Sequence, residues 1–218
     1  MRIDGAIFDL DGTLTDSMHI WDEAPKALVR RYGGQPPEDL AAALKEMGRR
    51  EASEYLIATF HMDCTPEKAM DDINELVTAA YRDQVPLKPG ADRLLRQLAA
   101  MGIPCAVATA SEVFQAQAAL ERLGVWDCFR FAVSCIQYGP KTGPDVYLEA
   151  ARRLGGTPER TIVFEDALHA AQTAKRAGFL VAGVYDPSAE SDRAALERVC
   201  DWYLPRLDGE AFWNVLHQ

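Results

Sequence analysis

From residue 87 onward the chain alternates short apolar runs with segments of helical periodicity, and this alternation restricts it to few architectures. Residues 103–109, 131–134, 161–164 and 180–184 read as strands. Between them, Leu94, Leu95, Leu98 and Met101 recur at helical spacing and stop at Gly102, and Val113, Ala116, Leu120 and Leu123 stop at Gly124. Further helices are predicted over 144–154 and 167–177. Strands separated by crossover helices pair in parallel through right-handed connections, so the predicted class is α/β with a doubly wound parallel sheet. One more buried strand precedes this region, because Ile7, Phe8 and Leu10 favour extended chain and Gly12 allows the sharp turn that ends it.

Residues 16–86 have a different pattern. Ile20, Ala24, Ala27, Leu28 and Tyr32 mark one amphipathic helix, ended by Gly33-Gly34 with Pro36-Pro37 beyond. More helix is predicted over 38–47 and 51–60. Thr65-Pro66-Glu67 then opens another helix, with a capping Thr, Pro at the first position, and an apolar face of Met70, Ile73, Val77, Ala80 and Tyr81. No strand is convincing here. The expected organisation is an α/β core formed by 1–15 and 87–218 with an inserted all-helical cap over 16–86. The prolines of Val85-Pro86-Leu87-Lys88-Pro89-Gly90 stiffen the return.

Chemistry concentrates at the predicted strand ends. Asp9 and Asp11 emerge together at the carboxyl end of the first strand, the edge where open α/β sheets bind ligands. Two carboxylates this close repel unless a proton or cation lies between them, and a hard divalent metal is the natural partner, although an ordinary Asp-Gly turn fits too. An EF-hand loop does not fit, since it needs Gly at its sixth position and Gly12 is fourth from Asp9. Glu165 and Asp166 end another apolar run, where an acidic helix N-terminus is the plain alternative.

The formal charge of -10, from 33 acidic against 23 basic residues, argues against nucleic acid or an anionic membrane as partner. An anionic substrate would need local compensation by metal, Lys or Arg. The cysteines Cys64, Cys105, Cys128, Cys135 and Cys200 form neither a CxxC pair nor a zinc spacing, so free thiols are expected. With no apolar signal segment at the start and no run near the roughly 18 apolar residues of a membrane helix, a cytoplasmic location is expected.

Asp9-Leu10-Asp11-Gly12-Thr13-Leu14-Thr15 resembles the first motif of the haloacid dehalogenase-like hydrolases. Thr109, ending a buried strand, resembles their second. Lys141, in Lys141-Thr142-Gly143-Pro144-Asp145, resembles the third, with Thr-Gly in a loop that more commonly reads Lys-Pro-x-Pro-Asp. Glu165-Asp166 resembles the fourth, with Ala167 and Ala170 in place of the usual Ser and Gly. The motifs come in order, each at a strand end, and the resemblance covers nearly the whole chain.

The resemblance, to the phosphatase and β-phosphoglucomutase-like branch with a helical cap, implies a Rossmann-like core and a small phosphorylated metabolite as substrate. It implies Asp9 as the nucleophile that forms an aspartyl phosphate and Asp11 as the acid and base that serves the leaving group and then water. Thr109 and Lys141 would stabilise the transferring phosphoryl group. Thr13 and Ser111 join the expected phosphate-binding set, although Ser111 reads more readily as the cap of the next helix. Mg²⁺ is the implied cofactor, held by Asp9, the backbone carbonyl of Asp11, and Asp166, with Glu165 reaching the metal's water or orienting Lys141. A monomer is expected.

Arg49 and Arg50, between two cap helices, are candidates for a second phosphate or for sugar hydroxyls; a solvated basic corner is the plain alternative. Trp21 is expected in the core and His19 in solvent. A β-phosphoglucomutase-like mutase is the rival enzyme reading. Those mutases carry a cap His five residues after the Thr of a Thr-Asp pair, where this chain has Ile20, flanked by His19 and Trp21. A phosphorylatable receiver domain is the non-enzyme rival, disfavoured by the cap and the length. A nucleotide-binding module lacks support, since neither GxGxxG nor GxxxxGK[ST] occurs.

Overall fold

The computed structural model describes residues 3–44 and 47–209. Strands β1 (Gly5–Phe8), β2 (Cys105–Thr109), β3 (Phe129–Ser134), β4 (Thr161–Glu165), β5 (Leu180–Val184) and β6 (Trp202–Leu204) form one sheet in the order β3-β2-β1-β4-β5-β6. Every pairing is parallel. The central strands β1, β2 and β4 are buried along their whole length, which explains why they read as unbroken apolar runs. Side chains alternate across the sheet. Ile7 and its register partner Val163 enter one core with Val133, Val146, Phe179 and Val181. One residue on, Phe8 stacks on its partner Phe164 with ring centroids 4.2 Å apart and meets the edge of Phe129 at 6.0 Å.

Among the described residues, those up to Asp16 and from Val85 onward make one compact unit and those between Ser17 and Gln84 make a second. The second unit holds α1 (Met18–Arg31), α2 (Leu40–Leu44), α3 (Arg49–Phe60) and α4 (Pro66–Asp83). No strand occurs in it among the described residues. Part of the helix expected over 38–47 lies outside the described residues. The Thr65 hydroxyl accepts from Lys68 N–H and Pro66 opens α4, as the capping pattern predicts. Leu28, Val29, Leu40, Leu56, Met62 and Ala69 form this unit's core. Beside it the buried Asp72 carboxylate accepts from Tyr32 Oη at 2.8 Å, from Arg31 at 3.1 Å and from Lys68.

In the first unit α5 (Ala91–Ala100), α6 (Val113–Arg122), α7 (Cys135–Tyr138), α8 (Asp145–Leu154), α9 (Leu168–Arg176) and α10 (Arg193–Val199) connect the strands. The outgoing and returning connections to the helical unit are paired with each other: Lys88 N–H donates to Leu14 O at 2.8 Å and Asp16 N–H to Pro86 O at 3.0 Å. Strand β6 and helix α10 have no counterpart in the sequence reading, and Trp21 is half-buried rather than a core residue.

Candidate active site

Strand order reverses between β1 and β4, and the chain leaving each of these strands carries carboxylates. Asp9 still belongs to the ladder, since its N–H donates to Phe164 O at 3.0 Å. The chain then folds back sharply. Gly12 takes φ 81°, a left-handed conformation that costs glycine little, and its N–H reaches Thr15 O at 2.9 Å while the N–H groups of Leu14 and Thr15 both return to Leu10 O. This loop holds Asp9 and Asp11 rigidly at the sheet edge.

One carboxylate oxygen from each of Asp9, Glu165 and Asp166 lies within 4.8 Å of the others, and all three residues are buried. Lys141, in the loop before α8 and itself buried, donates to Asp9 Oδ1 and, at 2.6 Å, to Glu165 Oε1. Tyr147 Oη donates to the same Glu165 oxygen at 2.7 Å, and Thr13 Oγ1 donates to Asp166 Oδ1 at 3.1 Å. Asp11 stands at the rim, where Ser111 Oγ donates to its Oδ2 at 3.1 Å.

Burial raises the Asp9 carboxyl well above its ordinary value; Lys141 opposes that rise, while Glu165, Asp166 and Asp11 add to it. Asp166 is pushed up to about 7 by burial, with Glu165 adding and Lys141 opposing. Burial also works against the Lys141 ammonium, but Asp9 and Glu165 outweigh it and hold the proton more tightly than usual. Three buried carboxylates against one buried ammonium leave this centre a cation short. Its donors are all oxygens, which fits a hard divalent ion such as Mg²⁺.

The structure therefore gathers Asp9, Asp11, Thr13, Thr109, Ser111, Lys141, Glu165 and Asp166 at one sheet edge, and it redistributes the hydroxyls. Ser111 does not cap the next helix. Glu112 is the N-cap of α6, in a reciprocal pairing with Gln115, and the Ser111 hydroxyl instead holds Asp11. Thr109 Oγ1 accepts from Ser111 N–H at 2.9 Å, which leaves its own proton for another acceptor. The hydroxyls of Thr13 and Ser111 donate to the carboxylates of Asp166 and Asp11. Arg49 and Arg50 lie exposed in the helical unit. Arg49 donates to Asn74 Oδ1 at 2.7 Å, and Arg50 is paired with Glu54 and Glu67. Tyr147 was missed by sequence reasoning; its signal is a phenol on the buried face of α8, where an O–H needs a partner. Lys88 and Asp186, which form a buried ion pair close to Asp166, carried no signal.

Residues 3–178 match the model of the haloacid dehalogenase-like hydrolases. The chain belongs to that family. This hydrolase is 30% identical over 188 residues to hexitol phosphatase A of Escherichia coli, covering 86% of each chain. It is 29% identical over 182 residues to the bifunctional riboflavin kinase/FMN phosphatase of Arabidopsis thaliana, covering 82% of this chain but 47% of that longer protein. Among solved structures, a Thermotoga maritima protein assigned as a β-phosphoglucomutase superposes with a TM-score of 0.81 at 27% identity, covering 100% of this chain and 99% of the other. No helix among the described residues of the hydrolase is long and apolar enough to cross a membrane.

Proposed function

We propose that this hydrolase is a magnesium-dependent phosphatase that cleaves a small phosphate monoester through an aspartyl phosphate on Asp9. The observation that carries the reading is the buried contact of Lys141 with both Asp9 and Glu165 beside Asp166, at the point where strand order reverses. The phosphatase names of the relatives support it, and sugar or sugar-alcohol phosphates are the substrate class those names favour.

Asp9 attacks phosphorus from a position fixed by the β1 ladder and the Gly12 turn. Lys141 and the free proton of Thr109 stabilise charge on the transferring oxygens. Asp11 protonates the leaving oxygen and then takes a proton from the water that hydrolyses the aspartyl phosphate, with Ser111 orienting its carboxylate. Asp9, Asp166 and the backbone carbonyl of Asp11 would hold Mg²⁺, which when bound screens carboxylate from phosphate. The mutase alternative needs a cap histidine that this chain does not place: Ile20 stands at that position and His19 is an exposed residue of α1. Unpaired thiols at every cysteine support a cytoplasmic setting.

The test is a panel of phosphorylated sugars, sugar alcohols and FMN, read by release of inorganic phosphate with Mg²⁺ and with EDTA. Release from one subset of esters in Mg²⁺ alone is expected. No release from any ester, or equal release in EDTA, would overturn the reading.

A further inference from the structure

A single oxygen of Glu165 links the nucleophile's ammonium partner to α8. Glu165 Oε1 accepts from Lys141 Nζ at 2.6 Å and from Tyr147 Oη at 2.7 Å, and all three side chains are buried. The Tyr147 ring is fixed on its other sides, packed edge-on against Phe179 at 6.2 Å among Val146, Ala150 and Val181. Its centroid lies 5.9 Å from Lys141 Nζ. Phenylalanine would fill the same volume, so packing does not explain the hydroxyl. A buried hydroxyl is costly unless bonded, and the acceptor this one meets is a charged oxygen of the site.

Resting on the phosphatase reading, we propose that Tyr147 is a positioning residue: through Glu165 it aims the Lys141 ammonium at Asp9 and at the phosphoryl oxygens. A glutamate has three rotatable torsions, and an ammonium on a four-carbon stem has more. Two donors converging on Oε1 remove that freedom, and Tyr147 is the rigid one of the two. Without its hydroxyl, Glu165 and Lys141 keep each other but lose the tie to α8. The chemical step then suffers more than substrate binding, because Tyr147 is fully buried and meets the reaction only through Glu165 and the aim of Lys141.

Tyr147→Phe tests this with little risk to folding. Turnover should fall about 10-fold with KM essentially unchanged, the range expected when a group that orients a catalytic residue is lost. The melting temperature should move by only a few degrees. In ¹⁵N-labelled protein the Lys141 ammonium resonance, assigned by its absence in Lys141→Met, should shift and broaden. Unchanged turnover, a rise in KM instead, or an unaltered Lys141 resonance would each overturn the proposal. The resonance needs no substrate. A wild-type protein that releases no phosphate would therefore defeat the phosphatase reading alone, while the resonance still decides whether Tyr147 holds Lys141.

Discussion

Lys88 and Asp186 form a buried ion pair, Nζ to Oδ2 2.7 Å, that fastens the returning connection of the helical unit to the carboxyl end of β5. Lys88 Nζ also donates to Tyr185 O at 2.5 Å, and the other Asp186 oxygen takes both Ser188 N–H and Ser188 Oγ. Removing one partner strands the other's charge away from water. Lys88→Met should destabilise by about 3 kcal/mol, close to 10 °C in Tm for a domain of this size. The double change Lys88→Met with Asp186→Leu should recover most of it, since a well-packed apolar pair often replaces a buried ion pair without loss. Thermal unfolding of the three proteins measures this.

The same pair has a pH signature. Burial alone would raise the Asp186 carboxyl, but Lys88 and Ser188 outweigh it and hold it below the ordinary aspartate value. The folded state then binds this proton less readily than the unfolded one. Its stabilisation is present above about pH 4, the unfolded value, and is lost as pH falls through the lower folded value. Asp186→Asn should lose less stability on acidification than wild type, read by urea midpoints between pH 5 and pH 3.

Asp166 predicts the opposite slope in the metal-free protein. Its carboxyl is raised to about 7, so between the unfolded value and that point the folded state binds more protons than the unfolded. Stability without metal should therefore fall as pH rises from about 4 to about 7. Saturating Mg²⁺ should reverse the slope, because the ion binds deprotonated carboxylates of the folded state. Asp166→Asn should make the metal-free slope shallower, the raised Asp9 carboxyl keeping the remainder, and should weaken Mg²⁺ binding, both measurable by calorimetry.

Much of this site was legible in the sequence because its carboxylates sit at the ends of strands buried on both faces. Such strands read as apolar runs, so Asp9, Asp11, Glu165 and Asp166 stood out as the polar residues that end them. Lys141, expected at a strand end, stands instead beyond β3 and the short α7, in the loop before α8. Strand β6 did not stand out. It has three residues, Trp202 and Tyr203 are half-buried, and no run or alternation marks it. The hydroxyls at 109 and 111 were legible as a pair but not by role. Which one holds Asp11 depends on the Thr109 hydroxyl accepting Ser111 N–H, a turn detail that residue types do not specify. Tyr147, Lys88 and Asp186 act through partners brought near by topology, beyond the reach of any local pattern.

Arg49 and Arg50 are neighbours whose charges differ in availability. Glu54 and Glu67 engage Arg50, whereas Arg49 bonds the neutral amide of Asn74. If the helical unit contributes an anion contact, Arg49 is the better donor. Arg49→Ala should raise KM several-fold for the best metabolite substrate and leave a small aryl phosphate unaffected, while Arg50→Ala stays near wild type on both. Steady-state kinetics on the two substrates separates these outcomes.

The central claim, that Asp9 carries the phosphoryl group to water, is tested most directly by ³¹P NMR of the wild type and Asp9→Asn with β-glucose 1-phosphate and with the best ester from the substrate panel, in Mg²⁺. The amide is nearly isosteric but a poor nucleophile, so circular dichroism should be unchanged. The account predicts inorganic phosphate from the best ester with wild type, none with Asp9→Asn, and no accumulation of glucose 6-phosphate from the sugar phosphate. Phosphate release by Asp9→Asn at more than a few per cent of the wild-type rate, or glucose 6-phosphate appearing faster than free phosphate, would contradict it.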